Sequence, residues 1–309
     1  MKYSVYKFEF KAGVHIGDSS LEDSEFQIHA DTIFSALCMQ ALHAGGETGL
    51  NAFCDMVRRG RIMISDALPY IGDTLYIPKP MLSVQGEREG SSVDKKNFKK
   101  MKYIPVDKVD DFIKGNIDAA AVNDNMNKLG SSELRTQASI KGLEETLPYH
   151  VGVYRFAEGN GLYMIAGYES DEDKYYLEDL LIALSYDGIG GKRSSGLGRF
   201  TLKPAKMTEK LTAALQDTSA DKYITLSVCL PDSELDDDML AGASYSLIRR
   251  GGFVYSADYA AEPRRKKDIY LFQPGSVFEK RFKGSVFDVS DGGSHPVYRY
   301  AIPLWMGVQ

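Results

Sequence analysis

The sequence predicts an α+β protein built as two units, and three observations predict it. The chain has 309 residues, long for one compact core and suited to two modest ones. Strand-like and helix-like stretches alternate through its first two thirds. The last third reads almost wholly as strand.

Tyr3, Val5, Phe8 and Phe10 fit a first strand, irregular near Lys7. Residues 14–30, VHIGDSSLEDSEFQIHA, read as a loop, and Asp31 as a helix N-cap. Phe34, Leu37, Cys38, Ala41 and Leu42 then follow one face of an amphipathic helix, which Gly45 and Gly46 end. RIMIS (61–65) and TLYIP (74–78) are strand-like. Residues 79 to about 148 are rich in lysine, glycine, serine and asparagine with weak periodicity, a long insertion that is helical near Val106 to Ile113. HVGVYRFAEGNGLYMIAGY (150–168) predicts a hairpin about Gly159-Asn160-Gly161. Leu177, Leu180, Leu181 and Leu184 repeat at helical spacing, and RFTLKP (199–204) closes the unit as a strand. The order β-α-β-β-α-β is the ferredoxin-like, RRM-like one, over residues 1–207.

A second unit is expected over residues 222–309. ITLSVCL is a strand, and YSLIRRGGFVYS a hairpin about Gly251-Gly252. KDIYLF, SVFDV and HPVYRYAIPLWM add strands, and SELDDDMLAGA offers the helix. On topology this is a degenerate, β-rich ferredoxin-like copy.

Composition excludes several classes. No stretch resembles a membrane span, and MKYSVYKFEFK alternates like a strand rather than a secretory leader. Cys38, Cys54 and Cys229 are few, odd in number and without a CxxC pair, which disfavours a zinc knuckle or disulfide framework and suits a reducing cytoplasm. The five histidines show no metal-ligand spacing. No cofactor and no metal are expected.

The net charge is −6, but the charge is segregated. Cations gather at Lys95, Lys96, Lys99, Lys100 and Lys102, at Lys192, Arg193 and Arg199, at Arg249 and Arg250, and from Arg264 to Lys267. Acids gather from Glu169 to Asp173 and from Asp232 to Asp238. Screening makes such local clusters decide binding, so one surface suits nucleic acid and another a protein.

Residues 188–200, GIGGKRSSGLGRF, hold five glycines, three cations and two serines. The stretch is not a Walker A loop, because Tyr186 stands where the first glycine belongs and Arg193 follows the lysine. Arg193 likewise breaks GxGxxG. Its chemistry still suits phosphate. Gly188, Gly190, Gly191, Gly196 and Gly198 let backbone N–H groups approach oxygens. Lys192, Arg193 and Arg199 supply charge, and Ser194 and Ser195 hydroxyl donors.

HIGDSSLEDSEFQIHADTIFSALC, GIGGKRSSGLGRF and RRKKDIYLFQPGSVF together resemble the subunit-four family of the Csm complex, the type III-A CRISPR RNA-guided effector. That family is a Cas-five-like branch of the RAMP superfamily, and the likeness runs to HPVYRYAIPLW. The resemblance implies two ferredoxin-like domains that grip the 5′ handle of the CRISPR RNA, with indirect contact to target RNA. It implies a hetero-oligomer, in which the chain joins the large polymerase-like (Palm-domain) subunit to a backbone RAMP subunit in antiviral defence. It places the glycine loop and the His15-Ile16-Gly17 loop on the RNA, and a thumb-like insertion around Ser131 to Leu147. Arg249, Arg250, Arg265 and Lys266 are further candidates for the strand's 5′ end, and Tyr154, Phe156, Tyr255 and Tyr259 for base stacking.

Two other functions remain open at this point. RAMP proteins include metal-independent repeat-RNA endoribonucleases, and His15 or His29 would be the acid or base. A purely structural adaptor would need little RNA contact. No GGDD pair for a nucleotidyl cyclase is present. The chain is read as a non-catalytic RNA-binding subunit.

Overall fold

The computed structural model describes residues 1–17, 20–84, 91–139, 147–235, 237–256 and 258–308. In chain order its elements are β1 (Lys2–Phe10), α1 (Ala30–Arg58), β2 (Ile62–Ile64), β3 (Leu68–Ile71), β4 (Thr74–Pro78), α2 (Ser92–Lys100), β5 (Tyr103–Pro105), α3 (Val109–Ile113) and α4 (Ala119–Met126). There follow β6 (Gly130–Ser139), β7 (Leu147–Phe156), β8 (Asn160–Tyr168), α5 (Asp171–Asp187), β9 (Phe200–Ala205) and α6 (Glu209–Gln216). The last are β10 (Lys222–Thr225), α7 (Asp237–Leu240), β11 (Leu247–Arg250), β12 (Ile269–Phe272), β13 (Val277–Phe278), β14 (Ser285–Asp288), β15 (Tyr298–Ala301) and β16 (Trp305–Val308).

The fold is α+β with antiparallel sheets. The largest sheet has the strand order β5-β4-β3-β8-β1-β9, with β2 also on β8. Helices α1 and α5 pack together beside it. The expected leucines of α5 are all buried, as are Phe34, Leu37 and Ala41 of α1. A Ser170–Asp173 capping box starts α5 by satisfying two N–H groups the helix cannot.

Several local readings are corrected. The first helical segment does stop at Gly46 (φ 60°, ψ −155°), as expected, but a second segment, unforeseen, carries α1 on to Arg58. The break brings Cys38 and Cys54, distant in sequence, to a sulfur separation of 3.9 Å. Asp31 is not the N-cap. His29 holds that position without a side-chain cap, and Asp31 lies buried in the first turn. The glycines at 159–161 make no hairpin. Strand β7 pairs with β6, whereas β8 enters the large sheet between β1 and β3. Asn160 anchors that switch, accepting from Gly72 N–H and donating to the Lys128 carbonyl. Nor do Gly251 and Gly252 turn a hairpin, because β11 pairs with β12.

The insertion is more regular than its composition suggests. It carries α2, β5, α3 and α4, and then the long β6–β7 ribbon, in register from Gly130↔Phe156 to Ser139↔Leu147. The expected thumb falls on this ribbon, with residues 140–146 outside the described residues. Of the acidic run, Asp236 lies outside them too, while Asp238 pairs with Lys280 at 2.5 Å.

The two halves share a core. Its two largest clusters mix residues from both, as where Phe34 packs on Tyr300. Polar joints run between them as well. Tyr300 hydroxyl donates to the Ile64 carbonyl and accepts from Ile64 N–H. The Asp66 carboxylate, between β2 and β3, accepts from Ala30 N–H (2.9 Å), Val228 N–H (3.0 Å) and His29 Nδ1–H (2.6 Å). This buried node sets the start of α1 against the second half, because an unpaired carboxylate there would cost several kcal/mol, of the order of 3–5.

Candidate nucleic-acid interface

The glycine loop leaves the C-terminus of α5 and returns along the first strand's outgoing loop. Gly188 (φ 86°) caps α5 by donating to the Leu184 carbonyl. Ile189 N–H donates to Gly198 O, Gly198 N–H to Gly13 O, and Gly191 N–H to His15 O. The inner edge of the loop is therefore closed onto protein. The glycines explain that closeness: a Cβ on Gly198 would stand 2.0 Å from Ile189 O, and one on Gly190 2.7 Å from His15 O. This corrects the expectation that N–H groups from Gly188 to Gly198 all serve phosphate, since those of 188, 191, 196 and 198 have protein acceptors.

The outer edge is different. Lys192 (φ 56°) is left-handed, the one non-glycine residue in that region among the described residues. It opens a single 3-10 turn, Arg193–Ser195, which Gly196 (φ 84°) closes. The N–H groups of Lys192, Arg193 and Ser194 meet no acceptor among the described residues. A left-handed residue beside right-handed ones points successive N–H groups into one concavity, an anion nest. Ser194, Ser195 and Arg199 are exposed around it. Lys192 Nζ lies 4.8 Å over the Tyr149 ring. Arg193 pairs with Asp187 at 2.5 Å, which Gln40 steadies at 3.1 Å, and faces the Tyr255 ring at 5.3 Å.

His15 is buried beneath the loop and donates from Nδ1 to Gly152 O at 2.7 Å. Its ring fills the space that a Cβ on Gly191 would need, and it lies against Gly17. His15 thus positions the loop from behind instead of facing outward. His29 is buried on Asp66. Neither histidine is presented on the open side of the loop, so the endoribonuclease reading gains no support from the geometry. Among the described residues no group of three or more His, Cys, Asp or Glu is placed to hold a metal, and no helix is long and apolar enough to cross a membrane.

The second-half cations separate. Arg249 is exposed, 3.8 Å from Asp268, and Arg265 is exposed over Phe253. Arg250 is not a free surface cation: it grips the buried Asp31 through two bonds of 2.9 Å. Lys266 is half-buried beside that pair. Of the stacking candidates, Tyr154 and Tyr259 are core residues and Phe156 is partly buried, whereas Tyr255 is 72 % exposed. Tyr255 lies against Arg193 of the loop, one residue beyond Val254, whose N–H donates to the Arg264 carbonyl. Sequence reasoning missed Asp66, Asp187 and Gln40, which fix the surroundings. They carry no local pattern that could have marked them.

Comparison with known proteins follows the same outline. Residues 7–201 match the model of the RAMP superfamily, and residues 218–308 that of the CRISPR Csm4 C-terminal domain. The CRISPR system Cms protein Csm4 of Mycobacterium tuberculosis is 38% identical over 309 residues, covering 100% of this chain and 98% of its own. The chain belongs to the Csm4 family. The Csm4 of Streptococcus thermophilus is 32% identical over 321 residues, with 100% of both chains covered. A chain in the crystal structure of a Csm3-Csm4 subcomplex of the type III-A CRISPR-Cas interference complex superposes with a TM-score of 0.68. It is 19% identical, with all of both chains covered. A chain of the Csm1-Csm4 cassette in complex with AMPPNP gives 0.62 at 19% identity, covering 99% of this chain and 98% of that one. At that identity the likeness establishes the Csm4 fold for both halves.

Proposed function

We propose that this chain is a non-catalytic RNA-binding subunit of a type III-A CRISPR interference complex. It grips the 5′ handle of the CRISPR RNA and bridges the large polymerase-like subunit to the backbone RAMP subunit, in antiviral defence. Membership of the Csm4 family supports the setting, as do the relatives' assemblies with Csm1 and Csm3. The halves, residues 1–207 and 222–309, are two ferredoxin-like units. For the first, the strand order β9-β1-β8 with β2 and β3 beyond supports this, and the second is degenerate. The β6–β7 ribbon is the thumb.

One observation carries the RNA contact. Left-handed backbone costs a non-glycine residue about 1–2 kcal/mol. Lys192 holds it at the tip of a loop anchored on one side and open on the other. Strain of this kind persists where the surroundings enforce it and points to a functional constraint. The open side presents N–H groups, hydroxyls and cations, and the neighbouring Asp187 is already engaged by Arg193. Phosphate oxygens fit that set.

Replacing Lys192 and Arg193 together by alanine should weaken capture of handle RNA and flatten its salt dependence. If each takes one phosphate, the log–log slope falls by about 1.4, at roughly 0.7 per single-strand phosphate. Fluorescence anisotropy across a salt series reads this. An unchanged slope removes the loop from the RNA path.

A further inference from the structure

At the start of α1, three cations crowd one carboxylate. Arg250 spans Asp31 with two hydrogen bonds, and Arg299 donates a third. Asp31 is 1 % exposed at its side chain. Arg299 is 6 % exposed, and its Nε–H is buried with no acceptor among the described residues. Its other nitrogen is held by Gly251 O at 3.0 Å. Lys266, on the segment paired backbone-to-backbone with Gly252, completes the cluster, and its ammonium has no carboxylate or carbonyl partner among the described residues.

Such a cluster is incomplete. Buried donors normally find acceptors, and among the described residues Arg299 Nε–H and the Lys266 ammonium have none. A tetrahedral anion supplies acceptors to both, since guanidinium and ammonium groups bind phosphate oxygens with strong, charge-assisted bonds. The position says which anion. Tyr255, exposed against Arg193 of the glycine loop and two residues beyond Phe253, which pairs with Arg265 next to Lys266, offers a flat face for a base. We propose that Lys266, Arg250 and Arg299 form a second phosphate seat, which holds one phosphodiester of the same ribonucleotide strand one Tyr255 step away from the loop. This rests on the RNA-binding reading above.

The seat makes binding sensitive to pH. Burial lowers the Lys266 pKa to about 8, with Arg299 and Arg250 adding to the fall and Asp31 opposing it. His29 stands beyond Asp31, its Nδ1 bonded to Asp66. A phosphate needs the charged lysine and raises its pKa when bound. Affinity is therefore flat below about pH 7 and falls through pH 8, by up to about tenfold between pH 7 and 9.

The test is anisotropy at constant ionic strength with an oligoribonucleotide of adenine and cytosine only, whose bases do not titrate in that window. Wild type, Lys266→Met, Lys267→Met and the Lys192/Arg193 double alanine variant are compared. Lys266→Met removes a charge the fold disfavours, so it folds at least as stably at neutral pH. The expected result is a salt slope lower by about 0.7 and a flat pH profile for Lys266→Met alone. The exposed-lysine control and the double alanine variant keep the profile. If Lys266→Met retains the wild-type slope and profile while the double variant weakens binding, the second seat is wrong and the loop reading stands. If neither variant changes binding, both fall. Inorganic phosphate that stabilises wild type but not Lys266→Met, with RNA affinity indifferent to Lys266, would assign the seat to free phosphate and overturn the strand contact.

Discussion

Asp31→Ala is expected to destabilise the protein by about 3–5 kcal/mol, the usual cost of stranding a buried charge whose partner is removed. Two guanidinium groups lose their carboxylate at once, and both come from the second half of the chain. The loss should therefore appear as loosening between the halves as well as a lower midpoint in urea. Burial alone would raise the Asp31 pKa, but the charge and hydrogen bonds of Arg250, then Arg299, hold it well below the ordinary carboxylate range. A depressed folded pKa means the stabilisation is present above the unfolded value, about 3.9, and is lost as pH falls through the folded one. The difference between Asp31→Ala and wild type should accordingly be constant from pH 7 to about pH 4 and narrow below it. Urea titrations at several pH values check both statements. A loss under about 1 kcal/mol at pH 7 would mean that this joint is dispensable.

Gly198→Ala should be comparably harmful for a different reason. The residue has φ 79°, which an alanine adopts only with strain. Its new Cβ would also stand 2.0 Å from Ile189 O, on a residue tied to Gly198 itself by the Ile189 N–H to Gly198 O bond. Backbone on both sides leaves nothing flexible to yield. A cost of about 3 kcal/mol is expected, together with loss of handle RNA binding as the loop leaves Gly13 and His15. Gly196→Ala is the control. It shares the positive φ (84°) but meets nothing within 4 Å, so only the strain of about 1–2 kcal/mol remains. Equal stability of the two variants would refute the docked inner edge.

These two residues show where sequence reading reached and where it stopped. The first half of α1 and all of α5 were legible, because Phe34, Leu37, Leu177, Leu180 and their neighbours repeat at helical spacing. The strands β1, β4 and β9 were legible by alternation. Partner choice was not. Gly159-Asn160-Gly161 carries a hairpin's chemistry, yet Asn160 bonds to Gly72 and Lys128 and the next strand joins another sheet. Gly46 looks like a helix end, but buried contacts by Phe53, Cys54 and Val57 extend α1 beyond it. The weakly patterned insertion hid α2 and α4, whose short helices are held by caps at Ser91 and Asp118 rather than by long apolar stripes.

The candidate site divides in the same way. Its cations and serines were visible as composition. The assignment of its glycines was not, because the approach to His15 depends on a residue far away in the chain, and that to Ile189 on how the loop closes on itself. Arg250 read as a turn cation, and only the fold reveals Asp31 beneath it.

Ultraviolet crosslinking of the assembled complex on handle RNA, with adducts located by mass spectrometry, addresses the central claim most directly. Adducts on the peptide spanning 188–200, centred on Lys192 to Ser195, are the predicted result. Adducts confined to other subunits, with that peptide unmodified, would contradict it and leave the chain an adaptor without an RNA grip.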